Sequence, residues 1–183
     1  ILIHYLFARS MYSDIPRTKE MNPIWDFYVA EAKRSWTDWS IHEQGLLGHL
    51  ALHLGDTEWV GRISRSLQER AIRTEDLGTY WGYRNGYTWN ERPLETHALL
   101  MSFFDAQPEM KDWVQDMKVW LLKNKQTNHW KTTTATTAAI YALLKTNGGS
   151  WVLDSQSEPS IVFPKGKKKD YAPKIKAAIG QAE

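Results

Sequence analysis

Along most of the chain the apolar residues recur every three to four positions. Met110, Trp113, Val114, Met117, Trp120 and Leu121 follow the i, i+3, i+4, i+7 spacing of one helix face, and Pro108 and Glu109 ahead of them suit a helix start. Val60, Ile63, Leu67 and Ala71 form a second stripe, with Asp56 as N-cap and charged residues at 62, 65, 69 and 70 on the opposite face. Leu46, Leu47, Leu50 and Leu54 form a third, opened by a capping box of Ser40 and Glu43 and closed by Gly55. Two segments have no polar face. Residues 98–104, Ala-Leu-Leu-Met-Ser-Phe-Phe, are apolar nearly all round, and Thr132 to Leu144 is built of Ala and Thr with almost no charge. Helices of that kind are expected to be enclosed by protein.

Amphipathic and enclosed helices thus alternate from Ile1 to about Lys145, as a two-layered ring of helical hairpins requires. A short repeat agrees: Trp-x6-Thr-x-Ala occurs at Trp89, Thr96, Ala98 and again, forty-one residues on, at Trp130, Thr137, Ala139. After Asn147-Gly-Gly149 the pattern changes. Short β-prone runs at Trp151 to Leu153 and Ser160 to Phe163 predict a hairpin, so the expected division is a helical part over 1–147 and a β segment over 148–183. The opening ILIHYLF has no basic lead-in or cleavage pattern and reads as the middle of a buried helix. The chain is therefore expected to be a piece of a longer protein, with a dimer possible through the cut edge.

Composition narrows the chemistry. There is no Cys, hence no thiolate nucleophile or Cys-based zinc site, and 23 basic against 21 acidic residues leave a net charge of only +2. The one basic cluster, Lys165 and Lys167 to Lys169 around Gly166, fits a hairpin turn, so no nucleic-acid partner is expected. No apolar run reaches the roughly 18 residues that span a bilayer, so membrane insertion by these residues is not expected either. The 10 Trp demand a large core or an aromatic groove.

Candidate sites are sparse. His42, His49 and His53 share one side of a helix, a spacing that can hold zinc, but the second His of the metalloprotease pattern is replaced by Leu46, so no metal is assigned. Asp38, Glu91 and Glu95 lie near aromatic residues as a glycosidase pair would, yet Asp38 and Glu95 also suit helix starts. The Asp-rich motif of terpenoid-cyclising toroids is absent. Thr132 to Thr137 has no visible base to activate a hydroxyl; Thr132 or Thr133 is expected to cap a helix, with the others bonding back to the preceding turn. The aromatic connector holding Tyr80, Trp81, Tyr83, Tyr87 and Trp89, together with Trp130, either forms a ligand-contacting lip or plugs the mouth of the ring. No catalytic residue and no cofactor are assigned.

The motifs Gly45-Leu-Leu-Gly-His-Leu-Ala-Leu-His-Leu-Gly-Asp56, Gly78-Thr-Tyr-Trp81, Leu94-Glu-Thr-His-Ala-Leu-Leu100, Met117 to Gln126 and Trp130 to Leu144 occur in that order. In this order they resemble the thioester-type helical domain of the α2-macroglobulins, in the bacterial branch that includes very large Bacteroidetes proteins. The resemblance implies an all-α fold, part of an α/α toroid of helical hairpins, followed by a short C-terminal β-hairpin segment. It implies a non-catalytic module of a periplasmic or surface-anchored protein that traps proteases, the protease being the partner of the whole protein. The family's Cys-x-Glu-Gln thioester motif is missing, and in sequence order it would fall upstream of Ile1. Two rival readings stay open: a carbohydrate-active toroid enzyme, and a protein-binding scaffold.

Overall fold

A computed structural model describes residues 1–82, 92–125, 130 and 132–146. The chain divides into two units, Ile1–Thr146 and Asn147–Glu183, and every described residue lies in the first. The β runs at 151–153 and 160–163 are therefore outside the described residues. The described elements are α1 (Leu2–Ser10), α2 (Met21–Ser35), a 3₁₀ turn (Trp36–Asp38), α3 (Ile41–His53), α4 (Thr57–Glu69), β1 (Ala71–Thr74), β2 (Gly78–Trp81), α5 (Pro93–Asp105), a second 3₁₀ turn (Pro108–Met110), α6 (Lys111–Lys123) and α7 (Thr133–Thr146). This part of the chain is mostly helical.

Local signals set the boundaries. The Ser40 hydroxyl accepts from the Glu43 N–H while the Glu43 carboxylate accepts from the Ser40 N–H, the reciprocal box expected at the start of α3. At its far end Gly55 turns left-handed (φ 68°), its N–H donating to the Leu52 carbonyl and that of Asp56 to Ala51. Asp56 then opens α4 by accepting from the Trp59 N–H at 3.0 Å. One residue thus ends one helix with its backbone and starts the next with its side chain. Thr132 caps α7 by accepting from the Ala135 N–H at 3.0 Å, and Thr136 and Thr137 donate back to the carbonyls of Thr132 and Thr133.

Side-chain contacts show how the helices run. His42 meets Thr96, and Gly48 meets Phe103, so α3 and α5 are parallel. His4 lies by His42 and Ser10 by His53, so α1 is parallel to α3; Thr134 meets Glu95 and Lys145 meets Ser102, so α7 is parallel to α5. The odd-numbered helices form a row, α1 on α3, α3 on α5, α5 on α7. By contrast Arg70 reaches back to Gln44, and Met117 pairs with His97 while Trp113 stacks near Phe104, so α4 and α6 run antiparallel to α3 and α5 against which they pack. The core lies between these layers. It includes Leu47, Leu50, Trp59, Ile63, Leu67, Leu100, Phe103, Phe104, Met117 and Leu121.

The 98–104 run is buried in α5 as expected, apart from half-buried Leu99. Three expectations change. Ala71, expected on the helical stripe, opens a strand instead, and Tyr80 and Trp81, expected in a connector, end its partner: β1 and β2 pair antiparallel, Ile72 opposite Tyr80, between α4 and α5 in the chain. Four-residue strands are too short to show a period, and the aromatic run beyond them reads as a connector. The Thr132–Leu144 segment is not enclosed, because only Ala135, Ala139 and Ala142 are buried while Ile140 and Tyr141 are 47% and 63% exposed. A narrow Ala stripe meets α5, and no described element lies across the opposite face. Likewise ILIHYLF buries one face only, through Ile3 and Leu6, with Tyr5 exposed.

Gly55 and Gly78 share nearly the same left-handed φ but not the same surroundings. A Cβ on Gly55 would meet open space, whereas one on Gly78 would overlap the backbone carbonyl oxygen of Asp116 in α6. Gly55→Ala should cost about 1 kcal/mol from conformation alone. Gly78→Ala should cost about 3 kcal/mol or more, because the hairpin must also lift off α6. Urea unfolding of both variants checks the difference, and equal costs would show that the hairpin is loosely seated.

Candidate functional site

The row of parallel helices carries a cleft of about 320 Å³ along its axis. Phe7 of α1 and Met11 just after it, His42, Leu46, His49 and His53 of α3, Glu95, Ala98, Leu99 and Ser102 of α5, and Ala138, Tyr141 and Lys145 of α7 line it. Spacing explains the gathering. On α3 the residues 42, 46, 49 and 53 are separated by three or four positions, and on α5 the residues 95, 98, 99 and 102 follow the i, i+3, i+4, i+7 pattern, so each set faces one way. Parallel packing then lays the faces side by side.

The three histidines meet the cleft but not one another's needs. His42 Nδ1 shares a hydrogen bond with the Thr96 hydroxyl at 3.1 Å, and His49 Nε2 donates to the Leu99 carbonyl at 3.1 Å. The Ser10 hydroxyl donates to the Phe7 carbonyl at 2.7 Å, so it accepts from His53 Nδ1–H at 2.8 Å. Each ring is spoken for by a different partner. Among the described residues no group of three His, Asp or Glu stands where it could hold a metal ion. Burial pushes the His49 imidazole down to about 4, helped by the charges of Lys145 and His53 and opposed by its bond to Leu99. His42 and His53 are lowered as well, by burial first and then by nearby charge, from His4 and Arg92 for the former and from Lys145 for the latter. The cleft therefore presents neutral imidazoles near pH 7.

A fourth histidine, unremarked in the sequence pattern, is wholly buried. His97 on α5 donates from Nε2 to the Met117 carbonyl of α6 at 2.9 Å and packs between Trp81 and Trp120, and burial pushes it down to about 4. Its signal was its place immediately before the apolar 98–104 run, where a buried polar residue needs a partner on the next helix.

The aromatic candidates separate. Tyr83 and Trp89, with Tyr87, lie outside the described residues. Tyr80 is half-buried and stacks on Trp120, with ring centroids 6.0 Å apart. Trp81 and Trp130 are only 1% and 3% exposed, so they are core residues and offer no lip. Each indole N–H donates to a carbonyl in the last turn of an outer helix, Trp81 to Leu67 of α4 and Trp130 to Leu121 of α6, both at 2.9 Å. Those carbonyls have no partner within their own helices. The two tryptophans thus do the same job at successive hairpins, capping an outer helix and filling the space before the next inner one.

Among the carboxylate candidates, Glu91 is outside the described residues and Asp38 is the exposed last residue of the first 3₁₀ turn. Glu95 sits in the first turn of α5 and accepts from the Thr134 hydroxyl at 2.9 Å. Among the described residues it is the one carboxylate on the cleft. No protein-family model matches the sequence, and neither does any curated protein.

Two predictions follow from these contacts. In the unfolded chain His49 and His97 titrate near 6.5, but folded they stay neutral down to about 4, so the unfolded state takes up protons first on acidification. Their stabilisation is full above about pH 6.5 and is lost as the pH falls toward 4, by on the order of 3 kcal/mol for each ring. Urea unfolding across that window checks this, and a His97→Gln chain should show a shallower slope. Trp81→Phe and Trp130→Phe each leave a helix-end carbonyl without its donor in a dry core and should each cost about 1 to 3 kcal/mol. Tyr80→Phe, which keeps the stacked ring, should change little.

Proposed function

We propose that this chain is part of an α/α toroid of the bacterial α2-macroglobulin type and serves as a non-catalytic module of a protease-trapping protein at the periplasm or cell surface. One observation carries the reading: a row of parallel helices, α1, α3, α5 and α7, with antiparallel helices α4 and α6 behind it. A ring of hairpins is built by repeating that unit, since each outer helix returns the chain to the end at which the next inner helix starts. The matching roles of Trp81 and Trp130 support a repeated unit. So does the order of the family-like motifs, which fall on α3, β2, α5, α6 and α7. Self-association through the α1 edge belongs to the same reading, because Tyr5, Met11 and Tyr12 leave apolar surface there.

The carbohydrate-enzyme alternative gains less. A glycosidase needs a second carboxylate roughly 5 to 10 Å from the first, and Glu95 has none beside it on the described cleft wall. Trp81 and Trp130, which would have offered sugar-stacking faces, are buried.

The decisive experiment uses the full-length parent protein. Limited digestion with an endopeptidase such as trypsin should leave the protease held in a complex that co-elutes with the parent on size exclusion. A panel of endopeptidases that cleave the parent and always elute free would overturn the trapping role.

A further inference from the structure

The carboxy-terminal turns of α5 and α7 bring the Ser102 hydroxyl and the Lys145 ammonium together at one end of the cleft, with more donors than acceptors between them. Ser102 is 7% exposed, and its hydroxyl accepts from Lys145 Nζ at 2.9 Å. Among the described residues nothing accepts the Ser102 O–H proton, and no carboxylate pairs with Lys145. An ammonium group has three N–H donors and only one is engaged by Ser102. A buried hydroxyl with an unspent proton beside a cation is completed by the oxygens of an anion. The neighbouring imidazoles do not compete, since the N–H of His49 goes to Leu99 and that of His53 to Ser10.

The remainder of the cleft sets the shape of that anion. Glu95 lies seven residues before Ser102, so the two ends are about 10 Å apart along α5. Between them the wall is Leu46, Ala98, Leu99, Ala138 and Tyr141. One unpaired ammonium matches one negative charge, and Glu95 at the far end opposes a second. A volume of about 320 Å³ is at the small end of ligand sites.

We propose that this cleft binds a monocarboxylate with an unbranched apolar body, its carboxylate on Ser102 and Lys145 and its chain along Leu46, Ala98, Leu99 and Ala138. The inference concerns the helix row as this chain presents it and does not rest on the protease-trapping reading.

Decanoate is a suitable probe, titrated into the 183-residue chain below its micellar concentration and followed by calorimetry and thermal melting. Saturable one-to-one binding with a raised melting temperature is expected. Lys145 is solvent-exposed, so Lys145→Gln should fold normally while weakening binding about tenfold or more, and Ser102→Ala should do the same. Decanol, with the same chain and no charge, should bind at least about tenfold more weakly. Decanol binding as tightly as decanoate, or an unaltered affinity in Lys145→Gln, would overturn the proposal. An apolar tripeptide with a free carboxylate that binds more tightly than decanoate would overturn it too, assigning the cleft to a peptide terminus.

Discussion

The close approach of α3 to α5 is the constraint on which the described structure turns. A Cβ on Gly48 would come within 2.7 Å of the buried Phe103 ring, which has little room to give, while one on Gly45 would come within 2.9 Å of the Leu100 side-chain tip. Only at this separation can His42 reach Thr96 and His49 reach the Leu99 carbonyl. Dispersion contact falls steeply with such a gap, so the glycines also permit the packing density of the core around Phe103.

Around that contact α5 acts as a hub, and its polar residues sort its neighbours. Thr96 bonds α3 through His42, His97 bonds α6 through the Met117 carbonyl, and Ser102 bonds α7 through Lys145. Just past its end, Gln107 accepts from Ser64 of α4 at 2.7 Å. Each of these helices therefore has at least one polar tie to α5 or its end, and α3 and α7 have two. In an otherwise apolar environment a broken tie leaves a buried polar atom unsatisfied, so these ties resist rotation of α5 about its axis in a way that interchangeable Leu and Phe contacts do not.

What was legible in the sequence was whatever depends on neighbours a few residues away. The Ser40 and Glu43 box, the Asp56 and Thr132 caps, the Gly55 stop and the stripes on α4 and α6 are all local rules, and they mark where helices begin and end. The three-histidine face of α3 was legible too, but not what it faces, because that depends on which helices lie beside it. The hairpin escaped because Gly78 seats it on Asp116 of α6, far along the chain. Trp81 and Trp130 could be read either as lip or as plug for the same reason: the choice is made by orphan carbonyls of Leu67 and Leu121, which no spacing rule names. In α2 only Trp25 and Ala32 are buried, too few to form a stripe.

The parallel row raises an electrostatic question that the outer helices answer. Helix ends carry about half an elementary charge, so aligned helices gather their negative ends together, here at the end of the cleft where Ser102 and Lys145 lie. Arg9 and Lys145 occupy the last turns of α1 and α7, where cations offset that charge, whereas His53 at the end of α3 is neutral near pH 7. In addition α4 begins where α3 stops and α6 begins soon after α5 stops, so positive helix starts lie next to two of the negative ends. The negative ends of α3 and α5 are thus offset within their own hairpins, and the ammonium of Lys145 chiefly meets that of α7. That ammonium stands beside the buried Ser102 hydroxyl, so it supplies positive charge at the end of the cleft where the helix ends alone disfavour an anion.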